Sequence, residues 1–228
     1  MAKRNFTSNQ VFIGLPWKTV KTKYETAIDK LRTLSPISFV IVGRGDTQDA
    51  EDLLELIKSK IESSSYAIFD ATDGNANVSL EYGYSEALDI PRALYFSGRK
   101  HPAKNKEQPI ISDLAGKKRQ PYKTQAQLLG LLKSFSASHA YTKRFDRFLS
   151  QVYSRKPKGE KRRLRALALK IVHCIDGQQS VRRDDVLQNM QADHSAYMRK
   201  EIEMMIKALN KAGLISSTQG QHSRINIE

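Results

Sequence analysis

The chain has 228 residues, 39% of them apolar, with one cysteine and a formal net charge of +14 at pH 7. This length suits one domain or two, no apolar run is long enough to span a membrane, and a single cysteine excludes an intrachain disulfide or a Cys-rich metal site. Residues 1–140 hold 20 Lys/Arg and 15 Asp/Glu, whereas residues 141–228 hold 18 and 9. The basic surplus of the second part favours a polyanionic partner over a purely solubilising surface.

Strands and helices alternate along the first part of the chain. Short apolar runs predict four buried strands, at residues 10–15, 38–42, 66–69 and 93–96. Apolar positions at helical spacing predict helices at residues 18–34, 52–61, 78–88 and 125–135. Residues 97–123 are irregular and basic, and we expect a short edge strand around Ile110. The alternation predicts an α/β fold with a parallel sheet.

The composition changes in the last third of the chain. A helix is predicted at residues 141–153, and the charged residues 154–163 are broken by Pro157 and Gly159, as in a linker. Three helices and a two-stranded hairpin are then predicted, at residues 164–175, 181–190, 195–212, 214–216 and 224–227. This order resembles a winged helix-turn-helix. We expect a domain at 1–140, a helical bridge and basic linker at 141–163, and a small, mainly α winged-helix domain at 164–228.

The most informative stretch joins the third strand to the next helix. The strand ends in Asp70, a polar loop with Asn75 and Asn77 follows, and Glu81 falls in the predicted first helical turn. Ligands of open α/β sheets bind at the carboxyl ends of strands, and a helix N-terminus favours an ionised carboxylate. An ionised, positioned Glu is what glycosyl transfer needs. The alternative is that Glu81 only complements the helix dipole.

This stretch resembles the signature of bacterial TIR-like and nucleoside 2-deoxyribosyltransferase-like domains. The matching positions are Asp70, Thr72, Asn75, Asn77, Val78, Glu81, Gly83 and Ala87. Residues 12–17 resemble the first strand and loop of that family, and residues 111–122 resemble its late segment. The resemblance covers residues 1–135 and implies a flavodoxin-like sheet. It also implies that Glu81 attacks or stabilises the anomeric carbon of a ribosyl group.

The residues around Glu81 each have a functional and a structural interpretation. Asp70 either orients the sugar or protonates the base, or it caps the loop through backbone N–H groups. Asn75 and Asn77 either bind sugar hydroxyls or hold the loop as Asx-turns, and the structural role is favoured for Asn75. Gly83 allows either the close approach of a ligand or tight helix packing.

Four further ligand-binding candidates lie within or just after the first two strands. Phe12, Gly14 and Trp17 belong to the first strand and its loop. Gly14 would clear space for a ligand, and Trp17 either stacks on a base or anchors the packing. Arg44, after the second strand, either contacts a phosphate or lies in a solvated turn.

The C-terminal part offers a candidate nucleic-acid surface. Its predicted phosphate contacts are Arg182, Arg183, Arg199 and Lys200. The alternative is that the winged helix contacts protein. The histidines and the lone cysteine lack metal-ligand spacing, so we expect neither a metal nor a cofactor, with NAD or a nucleotide as substrate.

Together these features predict a two-domain protein that binds a nucleotide-type molecule, cleaves an N-glycosidic bond and contacts nucleic acid or a nucleoprotein. The substrate is NAD, a nucleotide, a deoxynucleoside or a bound signal that is never cleaved. The domain combination resembles effectors of bacterial anti-phage systems, including retron-associated ones. Because no signal-peptide pattern opens the sequence, we expect a cytoplasmic protein without membrane contact. The sequence is also compatible with a homo-oligomer. The alternative function is a non-catalytic nucleotide sensor that controls a DNA-binding module.

Overall fold

The computed structural model describes residues 5–43, 46, 50–98, 116–175, 181–192, 197–217 and 224–228. The chain divides into two compact units: unit 1 comprises residues 1–29 and 39–132, and unit 2 comprises residues 30–38 and 133–228. Residues 30–38 are tied to unit 2 by hydrogen bonds from Arg165 to the carbonyl oxygen of Leu34 and between His173 and the carbonyl oxygen of Ser35. The predicted division at 140 and 163 stays a prediction.

Unit 1 is built on a five-stranded sheet. Its strands are β1 (Thr7–Gly14), β2 (Ser38–Val40), β3 (Ser64–Asp70), β4 (Arg92–Ser97) and β5 (Arg119–Tyr122). They lie in the order β2-β1-β3-β4-β5, and the pairs β1–β3, β3–β4 and β4–β5 are parallel. This is the flavodoxin-like order, so the predicted α/β fold class is confirmed.

Four described helices belong to the first part of the chain. They are α1 (Trp17–Arg32), α2 (Ala50–Glu62), α3 (Ala76–Ala87) and α4 (Gln125–Ser138), with a single 3-10 turn at Thr72–Gly74. One core cluster joins the sheet to α2 and α3 and includes Phe12, Phe69, Leu94, Ile61, Val78 and Tyr82. The central strands β1 and β3 end in runs of buried residues, because a parallel sheet is covered on both faces.

Several element boundaries differ from the predicted ones. Helix α3 begins at Ala76 instead of residue 78, because Asn75 caps it from outside. The edge strand is β5 at Arg119–Tyr122, while Ile110 lies outside the described residues. The helix predicted at residues 164–175 begins at Lys158 instead, so most of the linker predicted at residues 154–163 is helical.

Unit 2 contains helices on a small antiparallel sheet. After α5 (Ala140–Val152) the order is α6 (Lys158–Ile175), β6 (Val181–Arg182), α7 (Arg183–Ala192), α8 (Arg199–Lys211), β7 (Ile215–Ser217) and β8 (Arg224–Ile227). The sheet order is β6-β8-β7, with both pairs antiparallel. The predicted second helix begins two residues later than expected because Val181 and Arg182 form β6.

Candidate functional site

The candidate site lies where β1 and β3 end side by side. Gly14, the last residue of β1, is paired with Phe69 of β3, and Asp70 ends that strand. In the observed strand order, β1 and β3 flank the point where the chain reverses its direction of winding. Ligands of doubly wound folds bind at the carboxyl ends of the strands at this point. The sheet therefore brings the carboxyl edge of β1 next to the loop that leads to Glu81.

Glu81 reaches this edge from the second turn of α3. The helix begins at Ala76, so Glu81 is not in the first turn as predicted. Its carboxylate lies against the backbone of Gly14: a Cβ on Gly14 would be 2.4 Å from Oε2 of Glu81 and 2.6 Å from the ring of Phe69. Gly14 thus makes room for the Glu81 carboxylate and the Phe69 ring, where the sequence suggested room for a ligand.

One oxygen of the Glu81 carboxylate is desolvated without a compensating hydrogen bond. Its Oε2 atom is buried and has no hydrogen-bond partner among the described residues. Burial raises the pKa of Glu81 to about 7, whereas we expected the helix N-terminus to favour the ionised form. The expectation was wrong because desolvation is the main cause of the shift, and a dipole effect falls off within the first turn. At neutral pH such a group can both carry charge and hold a proton.

Asp70 is held quite differently from Glu81. It is fully buried, and its Oδ2 accepts hydrogen bonds from the hydroxyls of Tyr24 at 2.8 Å and Tyr122 at 2.7 Å. Its Oδ1 accepts one from the backbone N–H of Thr72 at 3.0 Å. Burial and the neighbouring carboxylate raise the pKa of both tyrosines. This bonding agrees with the structural alternative, in which Asp70 fixes the loop.

Hydrogen bonds at two adjacent residues, Thr72 and Asp73, hold the loop between β3 and α3. The hydroxyl oxygen of Thr72 accepts a hydrogen bond from the backbone N–H of Ser97 at 2.8 Å. Thr19 of α1 donates to the carboxylate of Asp73, a residue with a left-handed φ of 65°. Such a φ is sterically disfavoured for residues with a side chain, among which Asp and Asn tolerate it best. The sequence singled out neither Thr19 nor Tyr24, because both belong to α1, far away in the chain.

The two asparagines of the loop have different environments. Oδ1 of Asn75 accepts hydrogen bonds from the backbone N–H groups of Asn77 and Val78, at 2.9 and 3.4 Å. This is an N-cap and agrees with the structural role favoured for Asn75. The Asn77 side chain is exposed.

The remaining ligand-binding candidates of unit 1 have the following surroundings, and their contact with a ligand stays a prediction. Phe12 is buried, with its ring centroid 6.0 Å from that of Phe69, so it packs the core. Trp17 packs against the backbone of Gly43, and the ammonium of Lys21 lies 3.8 Å from its ring centroid. Gly83 is exposed, and a Cβ there would meet no described atom within 4 Å, so the helix is not tightly packed at this position; the approach of a ligand to Gly83 stays a prediction. Arg44 lies outside the described residues.

The predicted nucleic-acid contacts of unit 2 fall into two pairs. Arg183 Nη2 and Arg199 Nε lie 4.0 and 3.2 Å from the same oxygen of Glu203. Arg182 and Lys200 are exposed and form no ion pair within the described residues. Arg182 is in β6 and not on a helix, directly opposite Arg224 of β8. This placement opposite Arg224 depends on the strand register, which the sequence could not reveal.

The described part of the chain contains neither a metal-binding cluster nor a membrane-spanning helix. There, no group of three or more acidic, His or Cys side chains is placed to hold a metal ion. No helix in the same residues is both long and apolar enough to cross a membrane.

The strand order and the carboxyl-edge carboxylate define an α/β protein with a flavodoxin-like sheet and a candidate site at its switch point. No protein-family model matches the chain, and no curated protein matches it. Among solved structures, one match is the 2-desoxiribosyltransferase from Leishmania mexicana, with a TM-score of 0.36 and 14% sequence identity. The match covers 40% of this chain and 67% of that chain.

Proposed function

We propose that unit 1 binds a nucleoside- or nucleotide-type ligand and cleaves its N-glycosidic bond, with Glu81 acting on the anomeric carbon. One observation carries this proposal. A carboxylate oxygen is buried without a hydrogen-bond partner among the described residues, at the switch point of the sheet. A strongly perturbed carboxylate at a ligand-binding edge is a typical mark of a functional group.

The chemistry requires only one such carboxylate. When the bond between the anomeric carbon and the base nitrogen breaks, the electron pair leaves with the base and the sugar becomes an oxocarbenium ion. A carboxylate at short range in a desolvated site stabilises that positive charge. Water then adds to the anomeric carbon, and its proton balances the charge on the released base. Asp70, predicted as catalytic, is assigned here to positioning, because three hydrogen bonds already occupy its oxygens.

The test is base release by the full-length chain, measured chromatographically with NAD, nucleoside triphosphates, deoxynucleoside triphosphates and nucleosides. Glu81→Gln keeps the shape and removes the charge, so base release should fall by about 10²-fold or more, as when an electrostatic stabiliser is lost. Glu86→Gln is the matched control, since Glu86 lies on the same helix but pairs with Arg92 and Lys117 at the surface. Equal rates in wild type and Glu81→Gln would exclude the catalytic role, and ligand binding without release in wild type would identify a non-catalytic sensor.

The pH dependence provides an independent check. If the ionised form of Glu81 stabilises the transition state, the rate must rise with pH through the pKa of about 7. A rate that falls over the same range would show that the protonated form is the active one. Such a fall would contradict the electrostatic role and make Glu81 a general acid.

We also propose that residues 158–228 form a winged helix that binds nucleic acid through phosphates. The order helix, strand, helix, helix, strand, strand with an antiparallel sheet supports the winged-helix assignment. The exposed side chains of Arg182 and Lys200 support an anionic partner. Titration of the full chain against labelled duplex DNA and structured RNA tests this proposal, and absence of binding at low salt would leave protein contact as the role.

The wider expectations rest on the sequence alone. A role in anti-phage defence follows from the resemblance of the domain combination, and it stays a prediction. The cytoplasmic location and a homo-oligomeric state likewise stay predictions.

A further inference from the structure

Unit 2 contains a cavity of about 510 Å³ between α5, from Arg144 to its end, and the C-terminal part of α8. The residues from α5 recur at helical spacing on one face, and those from α8 lie in its last turns. The side chains that matter for binding are Arg144, Arg147, Phe148 and Val152 of α5, with Ala208 and Lys211 of α8. The cavity thus combines three cations with an apolar surface, and no acidic side chain of the described residues lines it.

Two of the three cations are free to meet a ligand. Arg144 is fixed in place, because its Nη2 donates to the carbonyl oxygens of Gly213 at 3.1 Å and Glu228 at 2.9 Å. Arg147 and Lys211, both exposed, have no side-chain hydrogen bond or ion pair within the described residues. Three like charges around one cavity repel each other unless an anion lies between them.

The C-terminal ends of the two helices weaken the attraction of the cavity for an anion but do not cancel it. Helices α5 and α8 both end at the cavity, and the partial negative charge of a helix C-terminus disfavours anions. That partial charge is about half an elementary charge per helix, against three full positive charges. The hydrogen bond from Arg144 to the Gly213 carbonyl also satisfies one of the exposed acceptors beyond α8.

We propose that this cavity binds a phosphorylated small molecule with a flat apolar body, of which a nucleoside monophosphate is the simplest example. Arg147 and Lys211 contact the phosphate, and the apolar body lies against Val152, Ala208 and the small exposed part of Phe148. A volume of this size falls in the range of small-molecule sites, roughly 300–1,000 Å³, so a single nucleotide is favoured over a nucleic-acid strand. This site belongs to unit 2 and is independent of the chemistry proposed for Glu81.

The experiment is photolabelling of the full-length chain with 8-azido-AMP, followed by mapping of the labelled peptides by mass spectrometry. Mapping separates this site from any nucleotide bound in unit 1. We expect label in the peptides of α5 or α8, with protection by AMP but not by adenosine, which lacks the phosphate. Replacing Arg147 and Lys211 together with Gln should weaken AMP protection at least about tenfold, because both charge-assisted hydrogen bonds are lost.

The control variant replaces Lys143 and Lys207 with Gln. These exposed lysines lie on the same two helices but do not line the cavity, so the net charge changes equally and AMP protection should persist. A second pair of variants uses Val152, which is 53% exposed and therefore tolerates polar side chains: Val152→Glu should weaken protection, and Val152→Lys should not. Absence of label from both helices, equal weakening by both double variants, or protection only by oligonucleotides would each overturn the proposal.

Discussion

At the scale of single residues, the burial of Glu81 makes the stability of the protein depend on pH. The pKa of this carboxyl is about 7 in the folded chain against an ordinary value of 4.5, so the folded state holds the proton more tightly than the unfolded state. Its contribution to stability is fully present below 4.5 and is lost as the pH rises through 7.

Replacing Glu81 with Gln removes this pH-dependent loss. At about pH 8 the variant should be more stable than wild type by up to ~3 kcal/mol, since one pKa unit corresponds to about 1.4 kcal/mol. The difference should shrink as the pH falls toward 4.5, and urea unfolding at several pH values measures it. A variant less stable than wild type at pH 8 would mean that the Glu81 carboxylate has a favourable partner.

Two glycines of unit 1 should respond to alanine in opposite ways. Gly14→Ala would place a Cβ against the Glu81 carboxylate and the Phe69 ring, and such overpacking typically destabilises by about 1–3 kcal/mol. Gly83→Ala meets no atom within 4 Å in the described structure and should stabilise α3 by roughly 0.5–1 kcal/mol, because Ala is the better helix former. Thermal unfolding of both variants tests this. Tolerance of Gly14→Ala would contradict the close approach of Glu81.

At the scale of elements, the start of α3 depends on one side chain. Asn75→Ala removes the acceptor of two backbone N–H groups at the helix N-terminus and should destabilise unit 1 by about 1 kcal/mol. Asn77→Ala, two residues later and exposed, should change stability by less than about 0.5 kcal/mol. Equal losses in the two variants would assign Asn77 a role in the loop that its exposure does not suggest.

The predicted elements agree best with the structure where a single local pattern defines them. The apolar run predicted at 66–69 lies within β3, because a central parallel strand is buried on both faces. Element ends were less predictable: the charged residues from Lys158 onward form the first turns of α6, although Pro157 and Gly159 suggested a break. Pro157 precedes this helix and Gly159 lies in its first turn, where neither interrupts an internal hydrogen bond.

At the scale of the whole molecule, the unpredicted features are those that need tertiary contacts. The sequence identifies Asp70 and Glu81 as neighbours in one motif, but their environments come from distant residues. Tyr24 and Tyr122, which bind Asp70, are 46 and 52 residues away from it in sequence. The raised pKa of Glu81 likewise depends on burial against β1. A motif thus locates the carboxylates, whereas the fold decides which one is left without a partner.

The positive charge of unit 2 predicts that the affinity of the full chain for nucleic acid depends on salt concentration. If phosphates are neutralised, log affinity should fall linearly with log salt, and the slope should flatten by about 0.9 for each contact removed. Arg182→Ala and Lys200→Ala should each flatten it, because neither side chain has an acidic partner among the described residues.

Glu203 sharpens this test, since its carboxylate lies close to both Arg183 and Arg199. Glu203→Gln should release both guanidinium groups for phosphate contact, so affinity should rise and the salt slope should steepen. Fluorescence anisotropy with one labelled duplex at several salt concentrations measures both quantities. If Arg182→Ala, Lys200→Ala and Glu203→Gln all leave the slope unchanged, the phosphate contacts lie elsewhere, and the surface around Glu203 does not bind nucleic acid.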